Sequence, residues 1–145
     1  MSEPKQHVHL SADVAAPPDE VFTYFTAHFD DIWPGKLDHV RDAPEGSEPL
    51  GLGFVRRLHT PAGKIEEEIV THDRPSLIEY KVINDVPIHN HLGRIEFAER
   101  NGGTRIDYTI DFDYKPSFLG PSTAGFMKVL WALRSKRRLA KKFPG

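Results

Sequence analysis

The chain of 145 residues contains no cysteine, which rules out a disulfide framework, a thiolate nucleophile and a zinc–thiolate site. A chain without thiols suits a reducing compartment, and a cytoplasmic protein is expected. It has no apolar run approaching the roughly eighteen residues of a membrane span. The N-terminal MSEPKQHVHL carries acid and proline where a secretory signal needs a basic and then an apolar stretch. Acidic residues are missing beyond Asp113, where Lys115, Lys128, Arg134, Lys136, Arg137, Arg138, Lys141 and Lys142 supply eight positive charges; the rest of the chain is therefore acidic, for a net charge of -2. Such a tail reads as a solvated helix face complementing the acidic body, with cations suited to a helix C-terminus. Contact with an anionic membrane surface is the weaker alternative. Nucleic acid is not an expected partner, because the cationic clusters have almost no interleaved aromatics and no recognition motif.

What is present fits a single domain over residues 1–145, long enough to bury roughly 70% of its unfolded surface. Val8, Leu10, Ala12 and Val14 alternate with His7, His9, Ser11 and Asp13, the pattern of a half-buried strand. Pro17-Pro18-Asp19-Glu20 then opens a helix, with prolines where no amide partner is needed and acids near the exposed amides. Val21, Phe22, Phe25 and Phe29 follow helical spacing, and the helix should end near His28. A further short turn over Asp30–Gly35 and a short strand between Leu37 and Ala43 complete the first third, before a turn-rich loop from Pro44 to Gly51.

Five more strands are expected between Gly51 and Tyr114, in GFVRRLHT, KIEEEIVTH, SLIEYKVIN, HNHLGRIEFAE and TRIDYTIDFDY. With Thr60-Pro61-Ala62-Gly63 as a hairpin loop, Arg56 faces Glu67, Arg57 faces Glu66 and Phe54 faces Ile69. With His72-Asp73-Arg74-Pro75 as the next loop, Ile69 faces Ile78, Glu67 faces Tyr80 and Ile65 faces Val82, so that Arg56, Glu67 and Tyr80 form one row across three strands. Arg100-Asn101-Gly102-Gly103 marks the last hairpin and pairs Phe97 with Ile106, Ile95 with Tyr108, Gly93 with Ile110 and His91 with Phe112. Parity places His89 and His91 on the buried face, unless a bulge in the Asp85-Val86-Pro87-Ile88 connection turns both outward. A last helix should start near Ser122 or Thr123, either of which would cap it. Phe126, Val129, Leu130, Leu133 and Arg137 form a stripe along it, widened by Met127 and Trp131.

The order of elements predicts an α+β protein. A curved seven-stranded antiparallel sheet, with two short helices after its first strand, wraps around a long C-terminal helix that covers its apolar face. That order resembles the helix-grip fold of the START-like or Bet v 1-like (SRPBCC) superfamily. The segments AAPPDEVFTYF, GLGFVRRL, GKIEEEIVTHDRPSLIEYKV, NHLGRIEF and GGTRIDYTIDF are similar to its polyketide cyclase/dehydrase and lipid-transport branch. The resemblance implies a cavity between the sheet and the last helix that takes a hydrophobic or amphipathic small molecule; its motifs are structural and name no reaction.

Residue chemistry points to the same place. Arg56, Glu67, Tyr80, His91, Tyr108, Phe112, Trp33, Phe126 and Leu130 are candidate ligand contacts, a few polar groups among apolar walls. The Arg56–Glu67 pair reads as a structural ion pair or as an anchor for a ligand head group. Tyr80, His91 and Glu67 are the candidates for proton transfer should the protein be an enzyme. No metal site is expected, since His89 and His91 lack further ligands, and no cofactor is implied. A carrier or sensor, as monomer or homodimer, is the first expectation; a cyclase/dehydrase-type enzyme is the second, and a module whose cavity is filled by side chains the third.

Overall fold

A computed structural model describes residues 3–61 and 63–144; Ala62 of the expected Thr60–Gly63 loop lies outside them. Strand β1 (Gln6–Val14) is followed by helices α1 (Pro18–Ala27) and α2 (Phe29–Ile32). Strands β2 (Leu37–Arg41), β3 (Val55–Thr60), β4 (Gly63–Asp73), β5 (Leu77–Val82), β6 (Ile88–Arg100) and β7 (Gly103–Tyr114) then run in succession. All seven pair antiparallel in one sheet ordered β1-β7-β6-β5-β4-β3-β2. After a short 3-10 turn (Ser117–Leu119), helix α3 (Gly120–Leu130), a π-helical turn (Trp131–Ser135) and α4 (Lys136–Lys142) continue without a break. This is the helix-grip architecture.

The first third forms as its residues dictate. Val8, Leu10, Ala12 and Val14 are buried on alternate positions of β1. Helix α1 begins at Pro18, with Asp19 and Glu20 in its first turn, and ends at His28. It lays Phe22 and Phe25 against Phe97, each with ring centroids 5.3 Å apart.

The β3–β4 hairpin has the expected register, with Arg56 opposite Glu67 and Arg57 opposite Glu66. The pairing extends to the Ile69 N–H, which donates to the Phe54 carbonyl at 2.9 Å. The next hairpin differs. Its turn is Arg74–Ser76, and Asp73 pairs with Leu77. A bulge between Ile69 and Thr71 absorbs one residue, so that Glu67 faces Val82, and Ile69, rather than Glu67, faces Tyr80. A bulge reverses side-chain parity. His72 accordingly turns inward, its ring 5.0 Å from that of Phe22.

A second bulge lies between His89 and Leu92 of β6. Phe97, Ile95 and Gly93 pair with Ile106, Tyr108 and Ile110 as expected, but His91 is not paired with Phe112, and His89 faces Asp113. Asn90 absorbs the irregularity in the left-handed region, at φ 51°, a conformation that asparagine tolerates. The consequence is selective: His89 is exposed whereas His91 stays on the inner side.

The C-terminal helix is turned relative to expectation. Phe126, Val129 and Leu133 are 51%, 55% and 60% exposed, and Arg137 is exposed too. The buried positions are Gly120, Ala124, Trp131, Ser135 and Leu139. Spacings of four drift by about 40° per step around an α-helix of 3.6 residues per turn. The wider π turn at Trp131–Ser135 takes up that drift and keeps Trp131, Ser135 and Leu139 on one side. Trp131 Nε1–H donates to the Ser11 carbonyl at 2.9 Å and Ser135 Oγ–H to the Ile32 carbonyl at 2.6 Å, fixing the helix to β1 and α2. Ser122 and Thr123 do not cap α3; their hydroxyls donate back to the Leu119 carbonyl at 3.0 and 2.8 Å. Two tail cations meet the acidic body at α2, Arg138 through Asp31 Oδ1 at 2.5 Å and Arg134 through the Asp31 carbonyl at 3.3 Å. Among the described residues, no helix is long and apolar enough to cross a membrane.

Candidate functional site

Between the concave face and α3 lies a cavity of about 620 Å³, partly open to solvent. Phe29 and Trp33 come from the α2 region, Leu58, Ile65, Glu67, Tyr80, Val82, His91 and Ile110 from the sheet, and Phe126, Met127 and Leu130 from α3. Exposed Pro34, Pro61, Ser122 and Phe126 mark its mouth.

The polar end of the cavity is built on a buried ion pair. Arg56 and Glu67 are only 3% and 6% exposed, and Arg56 Nε–H donates to Glu67 Oε1 at 2.9 Å. The guanidinium sits over Phe29, its Cζ 3.5 Å from the ring centroid, and 4.7 Å from the centroid of Tyr80. Such stacking suits a weakly hydrated, delocalised cation. Arg56 Nη2 is buried without a hydrogen-bond partner among the described residues. Burial pushes the Glu67 carboxyl upward, and the Arg56 charge and hydrogen bond oppose that shift. Arginine does not lose its proton, so a protonated Glu67 would leave a buried cation uncompensated; the pair is held as an ion pair.

Beside it runs a chain of aromatic hydrogen bonds. Trp33 Nε1–H donates to the Tyr108 hydroxyl at 3.0 Å, and the Tyr108 and Tyr80 hydroxyls share a short hydrogen bond. Burial first, and the electrostatics of neighbouring Tyr108 and Glu67 next, push the Tyr80 phenol up; burial does the same for Tyr108. Both phenols stay neutral at any ordinary pH, and one hydroxyl donates to the other.

His91 has a structural partner. The β5–β6 pairing ends at Tyr80 and Gly93, and the Val82 N–H, two residues further on, donates to His91 Nδ1 at 3.1 Å. The imidazole thus replaces a strand for one backbone amide, and its own proton is left on Nε2. Burial, aided by the Arg56 charge, pushes its pKa down to about 4, so it is neutral at pH 7.

Of the expected contacts, Glu67, Tyr80, His91, Trp33, Phe126 and Leu130 line the cavity. Arg56, Tyr108 and Phe112 are instead buried behind the wall. Arg56 supports Glu67, Tyr108 supports Tyr80, and Phe112 belongs to the core. The expected two-histidine surface does not form, because the β6 bulge separates His89 from His91. Sequence reasoning missed Phe29, which carries the Arg56 guanidinium, and Gly93, over which the Tyr80 ring folds. The signal for Gly93 was available, since a glycine inside a strand marks a close approach. It missed Arg74 as well, which ties the 44–51 loop to α1 through Glu48 at 2.7 Å and Asp19 at 2.8 Å while lying over Phe22.

Residues 5–141 match the family model described as polyketide cyclase / dehydrase and lipid transport. The chain belongs to this family. Family membership and fold place it in the SRPBCC superfamily. Among solved structures, that of Ara h 8.0201 is similar with a TM-score of 0.67 at 13% identity, over 94% of this chain and 96% of that one. A truncated norcoclaurine synthase from Thalictrum flavum gives 0.60 at 18%, over 92% and 96%. DynU16, encoded in the dynemicin biosynthetic locus, gives 0.63 at 18%, over 97% of this chain and 49% of that one. At such identities the likeness is one of fold. Among curated protein sequences none matches the chain.

Proposed function

We propose that this family member binds a hydrophobic or amphipathic small molecule in the cavity between the sheet and α3, as a carrier or sensor. The observation that carries the reading is a cavity of about 620 Å³ with apolar walls and few polar groups, the make-up of a ligand site. A native mass spectrum of freshly purified protein tests it. An extra mass that disappears on denaturation, or saturable uptake of an apolar probe that quenches Trp33, supports the reading. A clean apo mass together with no uptake of any apolar probe refutes it.

A cyclase/dehydrase-type enzyme is the second reading, favoured by one observation: Glu67 is a buried carboxylate, raised in pKa, that opens on the cavity. The other two proton-transfer candidates support it less. Tyr80 is committed to Tyr108, and His91 has Nδ1 committed to a backbone amide. Tyr80→Phe and His91→Asn separate the readings. A carrier keeps its affinity within about tenfold, one hydrogen bond's worth. An enzyme loses about 10²-fold or more in turnover with binding retained.

A further inference from the structure

The polar equipment of the cavity restricts the chemistry of what can fill it. Among the described residues that line it there is no lysine or arginine, and Glu67 is the sole carboxylate. The nearest cation, Arg56, is behind the wall: its Nε is bound to Glu67 Oε1, and its face is covered by Phe29. Glu67 Oε1 is therefore occupied, whereas Oε2 has no hydrogen bond from any described residue. Most other polar groups on the lining are committed, the N–H at His91 Nε2 excepted. The Tyr80 hydroxyl is bonded to Tyr108, the Trp33 N–H to Tyr108 and His91 Nδ1 to the Val82 amide. At the mouth, the Ser122 and Thr123 hydroxyls are bonded to the Leu119 carbonyl and the His59 ring to Asp38 at 2.7 Å.

We infer that the ligand is a neutral apolar molecule carrying a hydroxyl, an alcohol or phenol, which donates its hydrogen bond to Glu67 Oε2. This rests on the binding reading above. A carboxylate or phosphate would bring a second negative charge against Glu67 in a low-dielectric enclosure, with no cation free to meet it. An ammonium would meet a carboxylate already neutralised by Arg56 and would lie close to that guanidinium. A bare hydrocarbon would leave Oε2 buried and unbonded, a desolvation cost that a hydroxyl removes. The alcohol suits the site on each count and stays uncharged at neutral pH.

Four probes with one apolar body test this: 2-naphthalenemethanol, 2-naphthoate, 2-naphthylmethylammonium and 2-methylnaphthalene, titrated calorimetrically into the full chain at pH 7.5. The expected result is that the alcohol binds about tenfold or more tightly than each of the other three, as for one hydrogen bond to a charged acceptor. The alcohol's advantage over the hydrocarbon should fall to within about threefold in the doubly substituted Arg56→Met, Glu67→Leu protein, which keeps volume and loses both charges. Equal or tighter binding of the carboxylate or the ammonium overturns the inference and leaves the binding reading intact. Binding of the hydrocarbon as tightly as the alcohol does the same. Absence of binding by all four overturns both. The comparison among ligands on the unaltered protein decides the matter even if the doubly substituted chain does not fold.

Discussion

The Tyr80 ring folds across Gly93, its cross-strand partner, so closely that a β-carbon at Gly93 would overlap three carbons of the ring. The absent side chain is what lets the ring lie down, and from that position Tyr80 reaches both the Arg56 guanidinium and the Tyr108 hydroxyl. Gly93→Ala should therefore displace Tyr80 and lower stability by about 1–3 kcal/mol, the cost of overpacking a filled core. Urea denaturation measures this. A loss below about 0.5 kcal/mol would mean that the ring has room to move.

Arg56 and Glu67 should be far more costly to separate than to remove together. Arg56→Met leaves a buried carboxylate without its counter-charge and is expected to cost about 3–5 kcal/mol at pH 8. Burial already raises the Glu67 pKa and Arg56 opposes the rise, so deleting Arg56 raises it further. A carboxyl whose folded pKa lies above its unfolded value favours the fold at low pH and loses that contribution as pH rises. The deficit of the Arg56→Met protein should accordingly shrink between pH 8 and pH 5. The Arg56→Met, Glu67→Leu protein should recover most of the loss, as denaturation midpoints will show.

His91 gives a pH dependence of the opposite sense. Its folded pKa of about 4 lies below the ordinary 6.5. The neutral ring's contribution is complete above pH 6.5 and is lost as pH falls toward 4, in total about 3 kcal/mol for a shift of this size. His91→Gln lacks this titration, so the stability difference between the two proteins should narrow across that window. A difference independent of pH would show that His91 does not titrate with folding.

The two faces of the C-terminal helix should answer substitution in opposite ways. Trp131 is 3% exposed and bonded to the Ser11 carbonyl, so Trp131→Ala should cost about 3–5 kcal/mol. Phe126→Ser, at an exposed position on the cavity mouth, should change stability by less than about 0.5 kcal/mol. Thermal unfolding of the two proteins distinguishes this arrangement from one in which the Phe126–Leu133 stripe is buried.

The order of elements, the β3–β4 register and most of the β6–β7 register were legible in the chain, because alternation of period two and helical spacing are local properties that a tight turn converts into pairing. Arg56 opposite Glu67 follows from counting away from one hairpin. Three features were not legible. The β4 and β6 bulges each insert one residue; a bulge was open as an alternative in the Asp85–Ile88 connection but not at its true place between His89 and Leu92, because no local pattern marks where a sheet must bend to close around its helix. On the C-terminal helix the expected stripe runs through Phe126, Val129 and Leu133, which are exposed, whereas Trp131, expected only to widen it, is buried. A lone chain cannot weigh that apolar stripe against a Trp131 whose N–H has a carbonyl waiting on β1.

By itself the sequence determined the fold class and the residue types at the cavity's polar end, since both depend on periodicity and on which side chains a strand turns inward. The tertiary structure alone decided the roles. The β6 bulge kept His91 inside and sent His89 out, and Gly93 allowed Tyr80 to lie over Arg56. Packing on Phe29 placed the guanidinium behind the wall and left Glu67 on the cavity lining. These outcomes depend on distances between residues far apart in the chain, which close packing sets and no local pattern encodes.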